Sequence, residues 1–98
     1  MRFFVKAEVF ESIMRDDDIS RTRHAFAKKV KQIRESGKLL EGGVLADGRG
    51  GVFIVNVDSE RELMGMLAPE IVDHCHVETR PLASFDDLLE LFKRQGAA

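Results

Sequence analysis

The run Asp47-Gly48-Arg49-Gly50-Gly51-Val52-Phe53-Ile54-Val55-Asn56-Val57-Asp58-Ser59-Glu60-Arg61-Glu62 holds three structural signals in succession. Its glycine-rich start is a tight-turn sequence, because glycine reaches the positive φ that hairpin turns need. From Val52 to Asp58 the chain is β-rich and apolar on both faces. Val52 and Ile54 fall on one face, Phe53, Val55 and Val57 on the other. Such a strand is expected at the centre of a sheet, covered on both sides. Ser59 and Glu62 then form a capping box, in which the serine accepts from the third helical amide and the glutamate reaches back. Turn, strand and helix start follow one another without a spare residue.

Working upstream, Lys38 to Leu45 reads as the strand paired through that turn, with Gly42 and Gly43 marking a bulge or a close backbone approach. Before it, Ile19, Arg23, Phe26, Val30 and Ile33 recur at helical spacing, an apolar stripe interrupted once by arginine. Asp16, Asp17 and Asp18 suit the positive end of that helix, and Gly37 its left-handed C-terminal cap. Phe3 to Val9 alternates as a first strand: Phe3, Val5, Ala7 and Val9 on one face, Phe4, Lys6, Glu8 and Phe10 on the other. Downstream, Leu63, Met66 and Leu67 give the second helix its buried side, and Ala68-Pro69 stops it. A fourth strand is predicted from about Asp73 to Leu82. Ser84 opens a last helix carrying Phe85, Leu88, Leu89 and Phe92, and Gly96 closes it.

The order β-α-β-β-α-β plus a C-terminal helix is the ferredoxin-like pattern of the α+β class. It predicts a four-stranded antiparallel sheet with the first strand between the third and fourth, and two helices on one face. Residues 1–98 are expected to form a single domain, since a chain of this length supports one core. A formal charge of -2 argues against a nucleic-acid or anionic-membrane surface, since either needs clustered Lys and Arg. The basic run Arg21 to Lys31 reads as the solvated side of a helix. One cysteine, Cys75, leaves no intrachain disulfide and points to a reducing, cytoplasmic setting. Lys6 interrupts any signal-peptide core, and Val52 to Val57 is too short to span a bilayer.

The sheet's second face should be polar if it met only water. Phe4, Phe10 and the doubly apolar third strand contradict that, and leaving such side chains exposed forgoes about 1.5–3 kcal/mol each. A symmetric homodimer with two sheets face to face, a dimeric α+β barrel, resolves the conflict and encloses a small-molecule pocket.

Candidate site residues lie on that face. Reading His74-Cys75-His76-Val77-Glu78-Thr79-Arg80 as one strand puts His74, His76, Glu78 and Arg80 together, beside Lys6 and Glu8 and bounded by Phe4 and Phe10. Lys6, Glu8, His74 and His76 are the proton-transfer candidates. Desolvation would lower the Lys6 pKa and make it a base or an anion clamp, whereas Glu8 would hold it charged. Phe4, Phe10, Glu78 and Arg80 are the substrate-binding candidates, the arginine fork suiting a carboxylate. The two-histidine spacing is weakly specific for metal and fixes no third ligand. No metal or cofactor is assigned. His24 and Arg21 could close over a pocket mouth, but a polar helix face accounts for them. Cys75 reads as a small core residue, and Ser59 as a cap.

Three segments carry a resemblance. Phe4-Val5-Lys6-Ala7-Glu8-Val9 and Val52-Phe53-Ile54-Val55-Asn56-Val57-Asp58-Ser59, the latter with Glu62-Leu63 and Leu67-Ala68-Pro69, resemble muconolactone isomerases. Ser36-Gly37-Lys38-Leu39-Leu40-Glu41-Gly42-Gly43-Val44-Leu45 resembles YCII-related proteins. Both belong to the dimeric α+β-barrel superfamily. The resemblance implies a homodimer or higher homo-oligomer with an inter-sheet pocket and, for the isomerases, a proton shift within an anionic lactone. Here the aromatic and proline-rich segment those enzymes carry after the second helix is shortened to Pro69-Glu70-Ile71-Val72-Asp73, and their C-terminal His-Pro has no match. Two readings follow. One is a small-molecule pocket protein of muconolactone isomerase type, acting on an anionic lactone or unsaturated acid. The alternative is a non-catalytic dimeric binding or accessory module.

Overall fold

Two strands pair on both sides and organise everything else. In the computed structural model, which describes residues 1–96, β1 (Arg2–Val9) lies between β3 (Gly50–Asn56) and β4 (Cys75–Leu82), and β3 pairs outward with β2 (Leu39–Val44). All neighbours are antiparallel in the order β2-β3-β1-β4. The helices are α1 (Glu11–Met14), α2 (Ile19–Glu35), α3 (Glu60–Leu67), α4 (Glu70–His74) and α5 (Phe85–Arg94). This is the ferredoxin-like arrangement that the element order predicts.

The hairpin between β2 and β3 forms as its residues dictate. Asp47 accepts from the Arg49 amide at 3.0 Å, and Gly48 takes a φ of 74° that a side chain would resist. Gly50 is required for a different reason. A Cβ there would fall 1.9 Å from the Ala7 carbonyl oxygen, so only backbone fits between β1 and β3. Gly42 likewise allows close approach, since its Cβ would sit 2.6 Å from the Val52 carbonyl oxygen. The irregularity in β2 lies earlier than the glycines suggest, between Leu39 and Glu41.

The core forms on the helix side of the sheet. Phe3, Val5 and Ala7 of β1, with Phe53, Val55 and Val57 in and after β3, meet Ile33, Leu63, Leu67, Ile71 and Cys75. Each of the larger side chains contributes about 1.5–3 kcal/mol by leaving water. Phe26 and Val30 pack half-buried against the same cluster, so α2 presents the predicted stripe inward and leaves Arg23 in solvent. Asp18 stands at the α2 N-cap but makes no side-chain cap; the Asp16 carboxylate closes the preceding turn instead, accepting from the Asp18 amide at 2.8 Å. Gly37 follows α2 with φ 78°.

The second helix begins as expected, with Ser59 Oγ accepting from the Glu62 amide at 3.1 Å. The return half of the box lands one residue early: Glu62 accepts from the Asp58 amide at 2.8 Å and also pairs with Lys38. Pro69 ends α3 and, with its φ already near helical, opens α4. Ile71 anchors that extra helix in the core. The predicted start of the fourth strand at Asp73 is therefore corrected to Cys75. A short helix, α1, also occupies part of 11–18, where only a break in the β pattern is predicted.

On the opposite face Phe4, Val52 and Ile54 are only half-buried, so β3 is central in the sheet but covered on one side. No residue of α5 is buried, and the molecule measures 58 × 25 × 19 Å. Among the described residues no helix is long and apolar enough to cross a membrane.

Two substitutions test this packing in urea unfolding. Leu63→Ala should cost about 2–5 kcal/mol, the range for a core leucine. Gly50→Ala should lower the unfolding midpoint, whereas Gly43→Ala, whose Cβ meets nothing within 4 Å, should leave it near wild type.

Candidate functional site

Antiparallel partners share a face, so the register of the sheet gives the open face row by row. Phe4 lies between Ile54 and Arg80, Lys6 between Val52 and Glu78, and Glu8 between Gly50 and His76. Gly43 extends the Lys6 row on β2. The two glycines leave one end of the face without side chains, while β1 and β4 supply charged ones. On β1 and β4 themselves, Lys6, Glu8, His76, Val77 and Glu78 line a depression of about 240 Å³.

Within it the charges are paired along each strand. Lys6 Nζ lies 2.9 Å from Glu8 Oε1, and Arg80 donates twice to Glu78 Oε1, at 2.9 and 3.0 Å. Glu8 holds the Lys6 ammonium above its ordinary pKa through that hydrogen bond and its charge, outweighing partial desolvation; Glu78 and Asp47 add to it. Of the two expectations for Lys6, the geometry matches the one in which Glu8 holds it charged. Lys6 is a fixed cation here, suited to holding negative charge. Phe10 bounds the site through His76, its ring meeting the imidazole edge-to-face at 4.5 Å between centroids.

His74 does not belong to this cluster. As the last residue of α4 it lies on the helix side, its Nδ1 2.7 Å from the Glu70 carbonyl oxygen and its ring edge-on to Phe26 at 5.8 Å. Alternation begins only at Cys75, so one residue of helix sends His74 to the other side of the sheet. The two histidines therefore share no ligand position, and among the described residues no three His, Cys, Asp or Glu side chains gather as metal ligands. Arg21 and His24 lie on α2, which packs on the covered side, away from the open face. Cys75 is buried in the core, and burial pushes its thiol pKa up, as expected of a structural residue.

A second ionic cluster on the helix side is not evident from the sequence. Lys29 is nearly buried between α2 and α4, donating to the Ala68 carbonyl at 2.8 Å and standing 3.2 Å from Glu70 Oε2. Its place beside Phe26, Val30 and Ile33 on the apolar stripe is the one signal that could have marked it. The Glu70 carboxyl is held below its ordinary range, first by its own backbone amide and then by Lys29 and His74, against the opposing effect of burial. Nearby, Lys29, Gln32, Ile33, Ser36, Glu62 and Met66 line an open groove of about 280 Å³. Lys38 pairs with Glu62 there, raising the lysine pKa and lowering that of the glutamate.

Two titrations check these assignments. In Glu8→Gln the Lys6 pKa, followed by NMR at its ε carbon, should fall toward the ordinary lysine value, because its largest stabilising partner is gone. The lowered Glu62 pKa gives stability that is present above the ordinary carboxylate value and lost as pH falls through the folded one. Glu62→Gln should accordingly flatten the acid limb of a stability-against-pH curve.

No protein-family model matches this chain, and no curated protein sequence matches it. Among solved structures it is similar to 5-chloro-2-hydroxyhydroquinone dehydrochlorinase from Burkholderia phenoliruptrix AC1100, determined in complex with 2,5-dihydroxybenzoquinone. The TM-score is 0.64 at 13% sequence identity, over 85% of this chain and 94% of that one. At that identity the likeness is one of fold: the chain shares the ferredoxin-like α+β architecture of that enzyme.

Proposed function

We propose that this chain is a single-domain, homodimeric small-molecule pocket protein that binds a small anionic organic compound between two facing sheets. The observation that supports this most is the in-register block of Lys6–Glu78, Glu8–His76 and Phe4–Arg80 on the one sheet face that no helix covers. A pocket of this kind combines apolar walls with a few convergent polar groups. Phe4 and Phe10 would stack on or flank an unsaturated ring. Lys6 and Arg80 would hold its negative charge.

The chemistry that fits these residues is proton transfer at carbon, of which the lactone double-bond shift of muconolactone isomerases is one case. His76 or Glu8 would take the proton, and the Lys6 ammonium, kept charged by Glu8, would stabilise the enolate-like charge that develops. His74, on the far side of the sheet, has no part in it. The fold-sharing dehydrochlorinase, solved with a dihydroxybenzoquinone, lends the substrate class a precedent as an analogy of fold.

The alternative is a non-catalytic dimeric binding or accessory module. It is favoured by one observation: Lys6 and Arg80 already have carboxylate partners within their own strands. On that reading the charges set the register of two subunits and leave no cavity.

Titration with 2,5-dihydroxybenzoquinone and with muconolactone, followed by amide NMR, separates the two. The pocket reading expects shifts confined to β1 and β4, saturating with a dissociation constant in the micromolar to millimolar range. Lys6→Ala should weaken binding about tenfold. If either compound is turned over, His76→Gln should retain binding and lose on the order of 10²-fold or more in rate, the usual contribution of general acid–base catalysis. An absence of shifts on these strands with both compounds would sink the pocket reading in favour of the accessory module.

A further inference from the structure

We infer that Phe10 is the positioning residue of the candidate site: it fixes the His76 imidazole beside the depression and leaves both ring nitrogens free for a ligand. The inference deepens the function proposed above and rests on it only for the ligand.

The contact follows from the point at which β4 begins. Beyond the pair Val9 and Cys75 the two strands share one more bond, the Phe10 amide donating to the His74 carbonyl oxygen at 3.0 Å. Phe10 is still extended there, with φ -57° and ψ 142°, so its side chain falls on the open face with that of Glu8. Its cross-strand neighbour is His74, whose side chain α4 holds on the helix side. With no side chain opposite, the Phe10 ring meets its diagonal neighbour His76, the next open-face residue of β4. Such diagonals are within reach of aromatic side chains. The rings stand 4.5 Å apart between centroids and 83° between planes, the edge-to-face geometry that aromatic quadrupoles favour.

The backbone that carries the Phe10 ring is itself tied down. The Val9 amide before it donates to the Arg49 carbonyl at 2.8 Å, and the Glu11 carboxylate after it accepts from the Arg49 guanidinium at 2.7 Å. The Phe10 carbonyl accepts from the Ile13 and Met14 amides at 3.0 and 3.1 Å, which starts α1. The β2–β3 turn, the β1–β4 pair and α1 thus converge on this residue. Half-buried Phe10 gives the exposed His76 a fixed wall.

The manner of holding decides what the imidazole can do. A histidine is commonly oriented by a hydrogen bond that sets its tautomer and occupies one nitrogen. His74 is held in that way: the Glu70 carbonyl oxygen 2.7 Å from its Nδ1 can only accept, so Nδ1 carries the proton of the neutral ring. Among the described residues no group hydrogen-bonds either nitrogen of His76, and its ring is oriented by Phe10 alone. Glu8 is committed to Lys6 at 2.9 Å. A proton taken by Glu8 would loosen that pair, whereas one taken by His76 leaves it intact. His76 lines the depression and Phe10 does not, so the phenyl ring acts on a ligand through the imidazole.

The test is NMR of the isotope-labelled full chain with its imidazoles neutral. In the wild type the Hα–Hβ couplings of His76 should report one χ1 rotamer, and its ring protons should be displaced by the Phe10 ring current. Its ring nitrogen shifts should show both tautomers, as in free histidine, while those of His74 show the Nδ1–H form alone. Phe10→Leu, which keeps apolar bulk, should abolish the displacement and average the couplings, since an edge-to-face pair biases a rotamer by about two- to tenfold. Phe10→Tyr, which keeps the ring, should retain both. On adding 2,5-dihydroxybenzoquinone the His76 ring nitrogens should shift, and Phe10→Leu should bind it closer to wild type than Lys6→Ala does. The inference fails if His76 averages its rotamers in the wild type, if its couplings survive Phe10→Leu, or if Phe10→Tyr averages them as well. It fails also if the ring nitrogens show a single tautomer, because a protein group then holds one of them. Binding weakened as much by Phe10→Leu as by Lys6→Ala overturns it too, since Phe10 is then a direct contact. A wild type that binds neither 2,5-dihydroxybenzoquinone nor muconolactone, with His76 still released by Phe10→Leu, overturns the pocket reading alone.

Discussion

Pairing β1 on both edges, with β3 on one side and β4 on the other, is the constraint from which the rest of this molecule follows. It places Phe3, Val5 and Ala7 on the covered face, where they meet Phe53, Val55 and Cys75 and receive the helices. Because side chains alternate along a strand, the same pairing puts Phe4, Lys6 and Glu8 on the open face, opposite Arg80, Glu78 and His76. Core and candidate site are the two faces of one strand. A register slip of a single residue would exchange them, which is why the buried face so strongly specifies the charged one.

The open face is thereby built with a conflict. Half-buried aromatic and aliphatic residues on the central strands call for cover, while the β4 edge is charged and partly self-paired. In the proposed dimer a second sheet would bury the strip and turn the charged edge into a pocket wall. The apolar side of α5 is likewise exposed.

Local patterns were decisive where local chemistry is. Apolar alternation gave β1, glycine gave the β2–β3 turn, Ser59 gave the start of α3, and Ser84 that of α5. Departures occur where packing decides between near-equal local choices. The segment after Pro69 carries residues acceptable in either a helix or a strand, and Ile71 reaching the core tips it to helix. That single turn removed His74 from the row of ionisable groups. Lys29 offers the converse case, a charge within an apolar stripe, stabilised by the Ala68 carbonyl and the Glu70 carboxylate that only the folded chain brings to it.

By itself the sequence determined the α+β class, the element order, the faces of β1 and β3, and the neighbours Lys6, Glu8, His76, Glu78 and Arg80, because alternation and antiparallel pairing are set by backbone geometry. Tertiary structure alone decided that His74 lies across the sheet, that Lys6 is a held cation, that Glu62 reaches Asp58 and Lys38, and that α5 stands off the body. Those outcomes depend on distances between residues far apart in the chain, and no local pattern encodes them.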